Sequence, residues 1–329
     1  MRAPGIDVVV PSYRRPVALI ACLDALAVQV LPPTRVLVVA RPDDTPTWEA
    51  ARAAATRNGE VLPLEVVPVE EAGLVAALRA GTAATSASRV AFTDDDAVPR
   101  PEWLAALGGL LDEPGVGGAG GRDLVPGELG PGRRTVGTLA PWGRYTGDHH
   151  LGRGPARDVH VVKGVNMAYR ADALALPRSG VLAGQGAEIH SEELICAWAR
   201  ARGWRIRYDP AITVDHRVRA DESVGAPDDM RGRESYWRAG AHNRMVGTIA
   251  TDPDRAAVHV AYGFLVGSRE SPGVARALVA LARRERHVLQ RVRASLGGQT
   301  EAVRALFDHD VDDLMVSCAE LRREHTRTR

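Results

Sequence analysis

The chain has 329 residues, 45% hydrophobic and 25% charged, which suits one large α/β domain or two ordinary ones and excludes a disordered chain. Its 42 basic and 41 acidic side chains leave a formal net charge of +1, which excludes a nucleic-acid binder working by bulk charge. Cys22, Cys196 and Cys318 are too few and too far apart for a disulfide framework or a zinc knuckle, so a reducing cytoplasm is the expected compartment.

The opening Met-Arg-Ala-Pro-Gly runs directly into a strand pattern, with no signal-peptide core. Short, mostly β-branched runs at Ile6–Val10, Val36–Ala40, Leu64–Val67, Val90–Phe92 and Val116–Ala119 predict buried strands. Helix-length stretches lie between them at Pro16–Val28, Pro46–Asn58, Ala72–Thr85 and Pro101–Leu111, several opened by a first-turn proline. This alternation is that of βαβ units, hence a mostly parallel sheet with helices on both faces and ligands at the carboxyl ends of its strands. From Gly120 to about Val159 the chain is rich in Gly, Pro and Arg, and irregular loops are expected over the active face. Order returns at Val159–Arg170, at a helix over Glu192–Arg202, and at strands over Arg205–Tyr208 and Ile212–Val214. Beyond about Val218 amphipathic helices are expected at Met230–Ile249, Asp254–Val266, Pro272–Arg293 and Glu301–Glu324, with no strand between them.

Three constellations carry chemistry. Asp94-Asp95-Asp96 directly follow a buried strand, and adjacent carboxylates repel unless a cation sits among them. A hard divalent ion held jointly with phosphate oxygens meets that need; an acidic turn opening the helix at Pro101 is the plainer alternative. Next, Gly184-Gln185-Gly186 permits close backbone approach, and Glu192 or Glu193 follows at a helix start, where a carboxylate is also an ordinary first-turn residue. Last, His216 closes Thr213-Val214-Asp215-His216 after the final strand, where a surface histidine is common and a metal ligand is the alternative.

Taken together and in order, these residues resemble the inverting family 2 glycosyltransferases of the GT-A fold. The resemblance covers roughly residues 5–217. It rests on Val8-Val9-Val10-Pro11-Ser12-Tyr13-Arg14-Arg15-Pro16, the triplet 94–96, Lys163-Gly164-Val165-Asn166-Met167-Ala168-Tyr169-Arg170, and Glu192…Cys196…Gly203-Trp204-Arg205…Asp209-Pro210…His216. The segment Trp142–Tyr169, with Gly147-Asp148-His149-His150-Leu151, is similar to a bacterial subgroup.

The resemblance implies a nucleotide-diphosphate-sugar-binding half at residues 1–97, an acceptor half at 98–217 and a helical C-terminal region at 218–329. Pro11, Ser12, Tyr13 and Arg15 would frame base and ribose, and Asp43 or Asp44 would contact the base. The stretch from Gly73 to Gly81 would pass beside the nucleotide, with Arg79 and Asn166 at the donor. Where the family often carries Arg-Asn, this chain has Leu78-Arg79. Asp94 and Asp95 would meet ribose and sugar, while Asp96 and His216 would hold Mn²⁺ or Mg²⁺. The general base, commonly the Asp of a Glu-Asp pair, falls on Glu192 in the register of Cys196 and Gly203, with Glu193 as the neighbouring alternative.

The chemistry then expected is metal-assisted departure of the nucleotide diphosphate and attack by an acceptor hydroxyl that loses its proton to Glu192. The sequence does not name the acceptor, for which a glycan, a lipid-linked group and a small natural product are the expected classes. A sugar-phosphate nucleotidyltransferase would want a basic, Gly-rich phosphate loop where Pro11-Ser12-Tyr13 stand; a non-catalytic sugar-nucleotide-binding protein of the same fold is the second alternative. No apolar run reaches the roughly 18 residues of a membrane span. Ala256–Gly267 is read as a buried helix in preference to a peripheral anchor at the inner membrane face.

Overall fold

In a computed structural model the described residues are 5–127, 130–184, 188–216, 234–307 and 311–328. In chain order the first half holds β1 (Ile6–Pro11), α1 (Pro16–Ala27), β2 (Arg35–Ala40), α2 (Thr45–Asn58), β3 (Leu64–Pro68), α3 (Leu74–Ala84), β4 (Arg89–Phe92), β5 (Ala97–Pro99), α4 (Trp103–Asp112) and β6 (Val116–Leu124). The middle holds β7 (Thr138–Leu139), β8 (Tyr145–Thr146), β9 (Arg157–Val159), β10 (Met167–Arg170), β11 (Ala175–Pro177), α5 (Ser191–Ala201) and β12 (Arg205–His216). Then come α6 (Glu234–Thr251), α7 (Ala256–Leu265), α8 (Val274–Ala282), α9 (Val288–Phe307), β13 (Met315–Ser317) and α10 (Cys318–Thr328).

The main sheet runs β3-β2-β1-β4-β10-β6-β12-β5, with β9 also paired to β12. Of its nine strands, β3, β2, β1, β4, β6 and β12 point one way and β10, β5 and β9 oppose them. It is the mostly parallel, helix-covered sheet expected from the sequence. Because side chains alternate along a strand, the continuous apolar runs serve two cores. Val8, Val10, Val36 and Val38 pack beneath α1, α2 and α4, while Val9, Leu37 and Val39 join a second core with residues of α3, α5, α6 and α10. All three cysteines are free and buried.

Where the structure departs from the sequence expectation, long-range pairing is the reason. β6 runs on through Gly120, Gly121 and Arg122 to Leu124, although glycine weakens the strand pattern. There a side chain has no room: a Cβ at Gly121 would lie 2.0 Å from the Ile212 carbonyl oxygen. The strands expected at 205–208 and 212–214 form one, β12, whose register against β6 shifts between Tyr208 and Thr213, around Pro210. The helix expected over 301–324 is interrupted by β13, whose Ala175↔Ser317 and Pro177↔Met315 pairs with β11 lie far away in sequence. From there α10 returns to α3, and Arg322 donates to Thr85 Oγ1 at 2.8 Å and to the Ala87 carbonyl at 2.7 Å. The helix expected over 272–293 is two, α8 and α9. In α7, expected to be buried, His259 alone is enclosed, while Val258 and Leu265 face solvent. Residues 185–187 of the glycine-bearing stretch, and 230–233 of the expected helix over 230–249, lie outside the described residues.

Two glycine substitutions contrast a closed position in β6 with an open one in α4. Gly121→Ala should destabilise the protein by about 1–3 kcal/mol through overpacking against β12. Gly109→Ala, on an open face of α4 with nothing within 4 Å, should stabilise it by about 0.4–1 kcal/mol. Urea midpoints of the two variants check both signs.

Candidate active site

The acidic turn lies between two strands of different partners. β4 ends beside β1, and β5 crosses to pair antiparallel with the end of β12, setting Ala97 opposite His216. The Ala97 amide closes the turn on the Asp94 carbonyl at 3.2 Å. His216 Nε2 consequently lies 3.2 Å from Asp96 Oδ1 and 3.9 Å from Asp94 Oδ2, and its Nδ1 lies 3.9 Å from Asp123 Oδ2. One ligand atom each of Asp94, Asp96 and His216 falls within 4.8 Å of the others. Asp96 Oδ1 is buried without a hydrogen-bond partner, and so is His216 Nδ1; the close Asp96–His216 contact is an ion-pair approach and not an aligned hydrogen bond. Carboxylate oxygens with one imidazole, one oxygen being orphaned, fit Mg²⁺ or Mn²⁺.

The charges here govern one another. Burial pushes the Asp94 carboxyl up to about 6 and that of Asp95 up to about 7, against the pull of His216 on the first and Arg15 on the second. Burial would also raise Asp96, but His216 and Arg15 outweigh it and hold Asp96 below the ordinary carboxylate value. Asp123 is likewise desolvated, yet His216 and Lys163 bring it down to about 2. Burial alone would lower His216; Asp123, Asp96 and Asp94 instead raise it to about 10. A field that holds an imidazolium so firmly is the field a divalent cation needs.

A cavity of about 540 Å³ opens beside the turn, with Pro11, Asp94, Lys163, Glu188, Glu192 and Trp237 in its wall. Glu192 stands in the first turn of α5, and burial raises its carboxyl above the usual glutamate value. Its neighbour points elsewhere, since successive helical residues are about 100° apart. Glu193 is 2% exposed and its carboxylate is taken by Arg244 of α6, whose guanidinium also lies 4.2 Å from the centre of the Tyr145 ring.

Other residues expected at the site do not line the cavity, and most are already engaged. Ser12 donates to Asp95 Oδ2 at 2.8 Å, and Arg15 Nη1 bridges Asp95 at 3.2 Å and Asp96 at 3.1 Å, so these residues brace the turn. Tyr13 lies under the Arg14 guanidinium, 4.9 Å from ring centre to cation. Asp44, expected at the base, is a buried cap of α2 that accepts from Thr47 Oγ1 at 2.7 Å and the Arg14 amide at 2.6 Å; Asp43 beside it has a side chain 63% exposed. Gly73 adopts φ +138°, and a Cβ there would meet Glu188 Oε1 at 2.5 Å. Arg79 lies outside the cavity wall and pairs with Ser179. One expectation is corrected. Asn166 is fully enclosed and absent from the cavity wall: its amide donates to the Arg122 and Ile212 carbonyls and its oxygen accepts from Trp103 Nε1 at 2.8 Å.

Three participants escaped the sequence reading. Lys163 pairs with the buried Asp123 and lines the cavity, and its being the sole lysine was the available signal. Asp123 gave none, because its strand is masked by glycines. Glu188 accepts from the Val75 amide at 3.0 Å and so caps α3 across the cavity.

Comparison with known proteins agrees with this architecture. Residues 4–236 match the family described as Glycosyltransferase like family 2. Among solved structures, Staphylococcus aureus TarS 1–349 in complex with UDP-GlcNAc superposes with TM-score 0.61 at 14% identity, over 92% of this chain and 81% of that one. The mannosyltransferase PcManGT of Pyrobaculum calidifontis, in complex with GDP-Man and Mn²⁺, gives 0.54 at 18% identity over 94% and 89%. At such identities the likeness is one of fold. No curated protein matches significantly.

The orphaned oxygen predicts unequal roles within the triplet. Calorimetric titration with Mn²⁺ should show at least a tenfold loss of affinity in Asp96→Asn. Asp95→Asn, whose oxygens already serve Ser12 and Arg15, should change it much less. Equal loss in both would remove Asp96 from the ligand set.

Proposed function

The chain belongs to glycosyltransferase family 2, and from that premise we propose that it moves a sugar, with inversion, from a nucleotide-diphosphate donor to an acceptor hydroxyl. The observation that carries this reading is that Asp94 and Glu192 face one cavity, with Asp96 and His216 directly behind Asp94. GDP-Man and UDP-GlcNAc bound to the two relatives support a donor of this class. Membership of a glycosyltransferase family disfavours the nucleotidyltransferase and non-catalytic alternatives.

Asp94, Asp96 and His216 would hold Mn²⁺ or Mg²⁺, which when bound neutralises the leaving diphosphate. Lys163, held by Asp123, adds positive charge at the cavity wall. Arg15 and Ser12 keep the turn in place against its own repulsion. Glu192 takes the proton of the acceptor hydroxyl; burial raises its carboxyl above the usual glutamate value and makes it a stronger base than an exposed glutamate. The proposed division into a catalytic part, 1–217, and a helical part, 218–329, has its boundary within 217–233, outside the described residues.

We also infer peripheral contact of the helical part with an anionic lipid surface. No described helix is long and apolar enough to cross a membrane. Yet Leu265, Leu278 and Leu289 are 61%, 63% and 72% exposed, with Val274 and Leu281 among them. Arg283, Arg284 and Arg286 stand exposed in the same stretch without an ionic partner among the described residues. Apolar side chains flanked by arginines suit the headgroup boundary.

Two experiments test these readings. Glu192→Gln should leave Mn²⁺-dependent binding of GDP or UDP intact while transfer falls about 10²–10⁴-fold. Glu193→Gln should instead lower stability by about 3–5 kcal/mol, because it takes from Arg244 its buried carboxylate and leaves only the exposed Glu270 beside it, while turnover per folded molecule changes little. Full turnover in Glu192→Gln would remove the base. Separately, the protein should co-sediment with vesicles containing phosphatidylglycerol and not with pure phosphatidylcholine, and L278E/L281E should abolish this. Equal sedimentation with both lipids, or no effect of the double variant, would overturn the lipid contact.

A further inference from the structure

A second cavity, of about 610 Å³, adjoins the first, and Glu270 and Ser271 line both. Its walls come from the β8 loop, from α6, α7 and α9, and from the turn before α8. Two side chains in its lining are buried with hydrogen bonds unmet. His259 is 1% exposed and neither ring nitrogen has a partner. Gln299 is 2% exposed; its amide nitrogen donates to Ser295 Oγ at 2.9 Å while Oε1 has no partner. Buried polar groups are ordinarily satisfied, so such atoms facing a cavity mark what a ligand must supply. Gln299 Oε1 asks for a donor, and the imidazole can give or accept one hydrogen bond at each nitrogen according to its tautomer.

Charge narrows the ligand further. Of the five arginines in the lining, Arg133 is paired with Asp148 at 3.1 Å and Arg244 with Glu193. Arg144, Arg269 and Arg276 have no carboxylate partner among the described residues. Against them stands Glu270, 76% exposed in its side chain and 3.7 Å from Arg244. Unpaired guanidinium groups beside unsatisfied buried polar atoms match a molecule with both an oxyanion and hydroxyls.

We propose that this cavity binds the acceptor, and that the acceptor is an anionic polyol: a phosphate or carboxylate held by Arg144, Arg269 and Arg276, with hydroxyls meeting Gln299 and His259. That the ligand is the acceptor rests on the transferase reading above; that the cavity binds such a ligand does not. Its place fits, since it shares Glu270 and Ser271 with the cavity that Glu192 lines, and Arg244 in its wall holds Glu193, the residue next to Glu192.

Calorimetry on the full chain with glucose 6-phosphate, glucuronate and glucose tests this, with GDP and UDP plus Mn²⁺ titrated in parallel. One or both anionic sugars should bind at least tenfold more tightly than glucose, and their order tells phosphate from carboxylate. R144A/R276A should reduce that advantage at least tenfold and leave nucleotide binding unchanged. His259→Phe should weaken whichever anionic sugar binds, with its preference over glucose retained. Indifference to charge, absence of binding by both anionic sugars, an unaltered double variant, or displacement of the sugar by nucleotide would overturn the proposal. Failure of nucleotide binding with anionic-sugar binding intact would overturn the donor reading alone.

Discussion

The pairing of β5 with the end of β12 is the constraint on which the site depends. Without it the acidic turn would be a solvated loop at the start of α4. With Ala97 held opposite His216, three carboxylates and an imidazole are forced together at the edge of a buried sheet. Like charges so close raise the free energy of the folded state unless cations answer them. The chain answers partly with Arg15 from the β1 loop and with His216 itself.

Asp123 extends the same network. It is fully buried near the end of β6 and is tolerated because Lys163 pairs with it and His216 lies beside it. That position exists because β6 continues through a run of glycines, whose missing side chains let β12 and the 162–166 segment approach closely. Backbone proximity and site charge therefore share one cause. A bulkier β6 would displace β12 and carry His216 with it.

The first turn of α5 divides two environments. Glu192 faces a cavity continuous with the acidic turn, whereas Glu193 is buried in a pair with Arg244 that ties α5 to α6. Identical side chains one residue apart thus differ by their surroundings alone. The helical part beyond β12 contributes to both cavities through α6 and the turn before α8, so it helps shape the space an acceptor can occupy.

The amino-acid sequence by itself determined the alternation of buried strands and helices through residue 112, apart from β5, because the other elements there carry their own period. It also determined the order of the chemical pieces: the triplet, the glutamate at a helix start, the histidine after the last strand. Tertiary structure decided what local pattern could not carry. The glycine-rich β6 and the short β13 exist through pairing with distant partners. Asn166 and Asp44 resemble ligand-binding residues in sequence, yet the structure spends their hydrogen bonds on Trp103 and on the start of α2. The choice between Glu192 and Glu193 likewise required knowing where Arg244 lies. Residue type and spacing report what a side chain can do; which of those bonds are already taken depends on neighbours that only the folded chain supplies.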